Sequence, residues 1–148
     1  MTITAAPTAS YIRSESRLRP EQVNTSLADT TALEADITAR IATYRAVINK
    51  KVTGVTDTLD NQTIATEALA KRVLASLYGS AGYLNHAYWE RANALKAESA
   101  DLIDDLLGTS ADAVTAAAGA ATLTTSPYVV DSVGLLVVNG PDYLPDYL

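Results

Sequence analysis

The 148-residue chain has no cysteine, no phenylalanine, one tryptophan, one methionine and one histidine. The lack of cysteine excludes disulfide frameworks, cysteine-ligated zinc, iron–sulfur clusters and thiol catalysis together. With a single histidine, His86, the paired-histidine pattern of zinc proteases cannot be written, because zinc takes three or four protein ligands. His86 has Glu90 one helical turn away and reads as a helix-surface or interface residue. No run of ~18 apolar residues is present to span a membrane, and the start Met1-Thr-Ile-Thr-Ala-Ala-Pro7 lacks the basic and apolar regions of a secretory signal. Synthesis in a cytoplasm is the expectation.

Basic residues are also missing from one part of the chain. Residues 1–96 hold all 11 Lys and Arg against 9 acidic residues, whereas residues 97–148 hold 8 acidic residues and no basic one. Gripping DNA through its phosphates needs clustered Lys and Arg, so sequence-specific DNA binding is not expected of this composition. An acidic surface suits one that DNA passes without sticking; the same acids can equally keep an Ala-rich segment soluble. Apolar residues make up 48% of the chain, with Leu, Ile and the eight Tyr as the bulky core units. That supplies a core without disulfides or metals, though a thin one.

What is present is helical periodicity. Thr31 followed by Glu34 forms a capping-box pattern at a helix start. Leu33, Ile37, Ile41, Tyr44 and Ile48 then share one helical face. Arg45, Lys50 and Lys51 near its end suit the negative pole of the helix dipole. Residues 52–62 break the pattern and predict a loop, with room for a short strand. A second helix is expected from Asn61 to Thr63 onward, carrying Ile64, Ala68, Val73, Leu74, Leu77 and Tyr78 to a stop at Gly79, with Lys71 and Arg72 on its opposite side. After the hinge Gly79-Ser-Ala-Gly82, a third helix is predicted from about Tyr83 to Leu107, marked by Leu84, Tyr88, Leu95, Leu102, Ile103 and Leu106 and ended by Gly108. Trp89 and Tyr88 are adjacent and cannot both lie on one narrow stripe, so one of them is expected to face a neighbouring subunit.

The flanks carry less periodicity. Residues 1–27 read as an N-terminal arm with Tyr11, Ile12 and Leu18 as apolar anchors, and Tyr11 and Ile12 are candidate contacts between subunits. Residues 109–126 collapse into Ala, Thr and Gly and read as a linker or a loosely held helix. Residues 127–148 form the expected C-terminal arm. There Tyr128, Val129 and Val130, and then Leu135, Leu136, Val137 and Val138, read as strands that pair as a hairpin or add to a sheet in another chain. The duplicated Asp142-Tyr143-Leu144 and Asp146-Tyr147-Leu148, separated by Pro145, reads as a partner-docking tail whose proline lowers the entropy lost on ordering. The fold class expected is therefore mainly α: a three-helix bundle over residues 28–108, with an extended N-terminal arm and a C-terminal β-strand or hairpin arm and tail.

No catalytic constellation is read from these residues. Asp101, Asp104 and Asp105 form an acidic cluster, but no phosphate loop or second acidic motif accompanies it, and a solvated helix face accounts for it. No Ser/His/Asp triad can be certified from spacing. A protein-binding role without catalysis, metal or cofactor is the reading.

The Thr31/Glu34 start, the Tyr78-Gly79 stop, the long Tyr- and Ala-rich third helix and the extended C-terminal arm together resemble tailed-phage head–tail connector proteins, also called adaptor or head-completion proteins. The resemblance covers roughly residues 28–107 in helix order. It implies a virion protein of the neck, between capsid and tail, made in the host cytoplasm. Such subunits form a ring beneath the portal, usually dodecameric, with arms that grip neighbours and portal. The resemblance further implies that the ring extends the channel through which double-stranded DNA passes and gives the next tail component a platform, with no membrane involved. It assigns no role to any single residue. A small cytoplasmic helical regulator, chaperone-like or antitoxin-like, is the alternative.

Overall fold

The computed structural model describes the backbone of residues 1–122 and the side chains of residues 1–108. Five helices are present among them: α1 (Ala9–Ser16), α2 (Pro20–Val23), α3 (Thr30–Lys51), α4 (Leu59–Ser80) and α5 (His86–Thr122). The described part is thus mainly helical and contains no strand, and the strand and tail expectations for residues 127–148 lie outside it. The chain falls into two compact units, Met1–Ser110 and Ala111–Leu148.

Helix α3 keeps the face that its spacing predicts, with Leu33, Ile37, Ile41 and Ile48 buried and Tyr44 half-buried. Its start differs from the expectation. Asp29 is the N-cap, its carboxylate accepting the Ala32 N–H at 2.9 Å. Glu34, cast as the partner of Thr31, instead accepts from Arg13 Nε of α1 at 2.6 Å. A carboxylate gains more from a guanidinium than from a backbone amide already turned to water. Helix α4 begins two residues earlier than expected because Thr58 caps it, accepting the Asn61 N–H at 3.1 Å. Its inner face is Ala65, Ala68, Leu69, Val73 and Leu77. Between the two helices, Val52 and Val55 are buried within turns, and no strand forms there.

The principal correction concerns residues 1–27. They form no free arm but a strap and two short helices laid on the α3–α4 pair. Ile3, Ile12, Leu18 and Val23 are all buried in the core, Ile3 and Ile12 completely. Each such burial contributes roughly 1.5–3 kcal/mol. The strap's backbone is satisfied by side chains of the long helices: Asn49 Oδ1 accepts from Ile3 N at 2.9 Å, Arg45 Nε donates to Ile3 O at 3.0 Å, and Thr66 Oγ1 donates to Ala5 O at 2.9 Å. Gln62 bridges the strap twice, donating to Thr2 O and accepting from Thr4 N. Farther on, Tyr78 of α4 donates its hydroxyl to Ser16 O at 3.0 Å and holds the end of α1.

Helix α5 is longer than its prediction. It starts at His86, not Tyr83, and passes through Gly108 into residues 109–122, so that of the two readings of that stretch, linker or loosely held helix, the backbone is helical. A helix-interior glycine costs only ~1 kcal/mol, and the Ala-rich sequence that follows has the highest helix propensity available. The inward stripe of α5 is Ala92, Leu95, Ser99, Ile103 and Leu106, at spacings of three and four. Leu84 lies before the helix and is about half exposed.

Candidate functional site

Two surface features of the first unit stand out among the described side chains, an apolar hollow and a groove lined by apolar and charged groups together. One is a hollow of about 500 Å³ between the N-terminal strap and α4, lined by Pro7, Tyr11, Leu59, Thr63 and Ala70. Leu59 is 82% exposed there, and Tyr11 is 50% exposed. Capping explains Leu59: it is the first residue of α4, placed outward by the Thr58 cap. An exposed leucine alone carries no meaning, but an exposed leucine and tyrosine flanking one hollow make a patch.

The other feature is a groove where α3, α4 and α5 meet. It has two hollows that share Tyr44 and Arg72. One, of about 240 Å³, is closed by Ser76 and Gly79 of α4 and by Trp89, Asn93 and Lys96 of α5. The other, of about 110 Å³, is closed by Val47 and Lys51 of α3 and by Ser99, Ile103 and Asp104 of α5. Both fall below the ~300 Å³ at which small-molecule sites begin, a size suited to single side chains of a partner. The Arg72 guanidinium lies over the Tyr44 ring, 5.3 Å from its centroid, a cation–π arrangement that fixes the charge at the junction. Neither Lys51 nor Lys96 forms an ion pair with a described residue.

The adjacent aromatics of α5 divide between inside and outside. Tyr88 is half-buried against the core, its ring 5.8 Å from that of Tyr78, and its hydroxyl meets Gln22 Nε2 at 3.5 Å. Trp89 is 53% exposed. It stacks on His86 with centroids 5.8 Å apart and packs beside Gly82, where a Cβ would come within 3.4 Å of the Trp89 Cβ. Ile12, expected as an inter-subunit contact, is wholly inside its own chain's core and is not available to a neighbour. The reason is registry on α1: Tyr11 and Ile12 are consecutive and so stand about 100° apart around the helix, which sets Tyr11 at the edge of the packed face, half exposed, when Ile12 points into the core. The candidate residues from Tyr128 to Leu148 lie outside the described residues.

His86 pairs with Glu90 at 2.8 Å across one turn, both exposed. Among the described residues no three His, Asp or Glu side chains gather to hold a metal ion, and no helix is long and apolar enough to cross a membrane. Asp101, Asp104 and Asp105 are exposed along α5.

The groove was not visible in the sequence. Lys51 reads as a helix-end charge and does lie in the last turn of α3, whereas Arg72, read as lying opposite the apolar face of its helix, is half-buried over Tyr44. Only the packing of three helices sets Lys51 on one hollow and Lys96 on the other, with Arg72 shared between them. Periodicity within a single element carries no signal for that. No protein-family model matches the chain, and neither a curated protein nor a solved structure matches it.

Proposed function

We propose that this chain is a structural virion protein, a head–tail connector subunit that assembles as a homo-oligomeric ring under a portal in the neck of a tailed phage. The observation that supports this reading is the presence of two unlike surface features on one subunit: the apolar Tyr11–Leu59 hollow and the Trp89-bearing groove with its cations. A two-fold dimer needs one self-complementary patch, whereas a ring joins a surface of one subunit to a different surface of the next copy until the rotation closes, and a ring that also binds neck partners needs further docking surface. In this reading the ring is dodecameric, binds the portal on one side and the next neck or tail component on the other, and extends the channel for double-stranded DNA. The acidic residues after position 96 suit a wall that DNA passes without binding.

Electron microscopy with two-dimensional averaging of the particle from which the protein is isolated tests the reading. A ring at a phage neck is the expected result. A protein found only as a free monomer or dimer, never joining a larger assembly, replaces it with a small helical regulator.

A further inference from the structure

The groove and the end of the sequence are matched in charge and in spacing. Three cations, Lys51, Arg72 and Lys96, border the two hollows, against one carboxylate, Asp104. Residues 97–148 hold only acidic charge, and they end in two repeats of Asp-Tyr-Leu. On α5 the hollows are bounded by Trp89 to Lys96 and by Ser99 to Asp104, so their midpoints lie about nine residues apart, or ~13 Å at ~1.5 Å per residue. Tyr143 and Tyr147 are four positions apart, with Leu144, Pro145 and Asp146 between them. An extended, proline-containing strand of that length spans ~12–13 Å.

We propose that the groove receives the Asp142–Leu148 segment of a second copy of this chain. One tyrosine of the repeat enters the Trp89 hollow and the other the Ile103 hollow, with Asp142 and Asp146 set against the cations. Arg72, held over Tyr44 at the junction, meets the segment between its two anchors. Two side-chain-sized hollows suit a pair of tyrosines, which bring large rigid area at low entropic cost. Because groove and segment are different surfaces, the contact runs head to tail from copy to copy. The inference names a neighbour contact for the ring and rests on that reading for its place in the neck.

The absence of native cysteine makes a cross-linking test direct. A full-length Asn93→Cys chain is mixed with a full-length Leu144→Cys chain under mild oxidation. The expected result is a disulfide-linked dimer of one of each, in excess over a control pairing of Leu144→Cys with Ser10→Cys, whose site is exposed on α1. Adding Arg72→Glu and Lys96→Glu to the groove chain lowers the yield at least about ten-fold, and Asp142→Lys with Asp146→Lys on the other chain restores it. Circular dichroism of each variant establishes that helix content is kept, and Arg72→Met with Lys96→Met replaces the charge reversal if it is not. A yield no greater than the control overturns the proposal. So does a doubly substituted Asn93→Cys, Leu144→Cys chain that links only within itself, since its own segment then fills the groove. Neck rings without the cross-link would sink this contact alone, and the cross-link without neck rings would sink the ring reading alone.

Discussion

The Ser99 hydroxyl of α5 donates a 2.7 Å hydrogen bond to the Ala68 carbonyl of α4, and both residues are buried. Alanines at 65 and 68 and a serine at 99 keep side chains small where the helices meet, so a hydroxyl can reach main chain across the contact. Ser99→Ala is expected to cost about 1 kcal/mol, the net worth of one neutral hydrogen bond. Ser99→Leu is expected to cost more, about 1–3 kcal/mol, by forcing bulk into the same space. Urea denaturation followed by circular dichroism separates them, and an unchanged midpoint for Ser99→Leu would show that α5 is not held at this contact.

Ile12 and Tyr11 give a paired test of the N-terminal packing. Ile12 is completely buried, whereas Tyr11 is half exposed. Ile12→Ala is expected to destabilise the fold by about 2–5 kcal/mol, as for other large-to-small core changes. Tyr11→Ala should cost under about 1 kcal/mol. Equal small effects from both would return residues 1–27 to the status of a free arm.

These two residues also show where sequence reasoning stops. On α3, Leu33, Ile37, Ile41 and Ile48 all come from one continuous helix, so a single period exposes them. The buried residues of the N-terminal region, Ile3, Ile12, Leu18 and Val23, are nine, six and five apart and fit neither the helical nor the strand period. They belong to a strap, one short helix and one helical turn, each contributing one or two anchors. What holds them is long-range: Asn49, Arg45 and Gln62 bond the strap from 41 to 60 residues away. The groove is hidden for a related reason, since Lys51, Arg72 and Lys96 each look like ordinary surface charge on their own helices.

Arg17 is the one described non-glycine residue with positive φ, at 55°, where it closes the C-terminus of α1 and donates its N–H to Arg13 O at 3.2 Å. A left-handed L-residue costs roughly 1–2 kcal/mol. Glycine removes that strain but loses roughly 0.5–1 kcal/mol more backbone entropy on folding. The balance predicts that Arg17→Gly stabilises by about 0.5 kcal/mol, whereas a β-branched Arg17→Val destabilises. Thermal melts of the two variants check the order, and a more stable valine variant would contradict it.

Glu98 and Lys71 set a pH dependence. The Lys71 ammonium donates to Glu98 at 2.9 Å and holds that carboxyl below its ordinary value of 4.5, first through the hydrogen bond and then through its charge. The folded state therefore binds this proton less readily than the unfolded chain. The stabilising contribution is present above pH 4.5 and is lost as pH falls through the lower folded value. Because both side chains are partly exposed, the effect is small and weakens with salt. Carboxyl NMR titration should place the Glu98 midpoint below 4.5 in the native chain and return it toward 4.5 in Lys71→Met. An identical midpoint in both would remove the ion pair as its cause.

Trp89 is the chain's sole tryptophan and is 53% exposed at the groove. Its emission therefore reports on one surface. A half-exposed side chain contributes little to folding, so Trp89→Ala should shift the unfolding midpoint by under about 1.5 kcal/mol. An aromatic anchor at the centre of an interface contributes far more to association, commonly ~2 kcal/mol or more. Assembly of the native chain is thus expected to move tryptophan emission to shorter wavelength as water leaves the ring. In Trp89→Ala, assembly should weaken by at least about 30-fold, the equivalent of ~2 kcal/mol. Light scattering follows the second quantity in the same titration that reads the first. Assembly that proceeds with unchanged emission, and equally well without the indole, would take the groove out of the subunit contact.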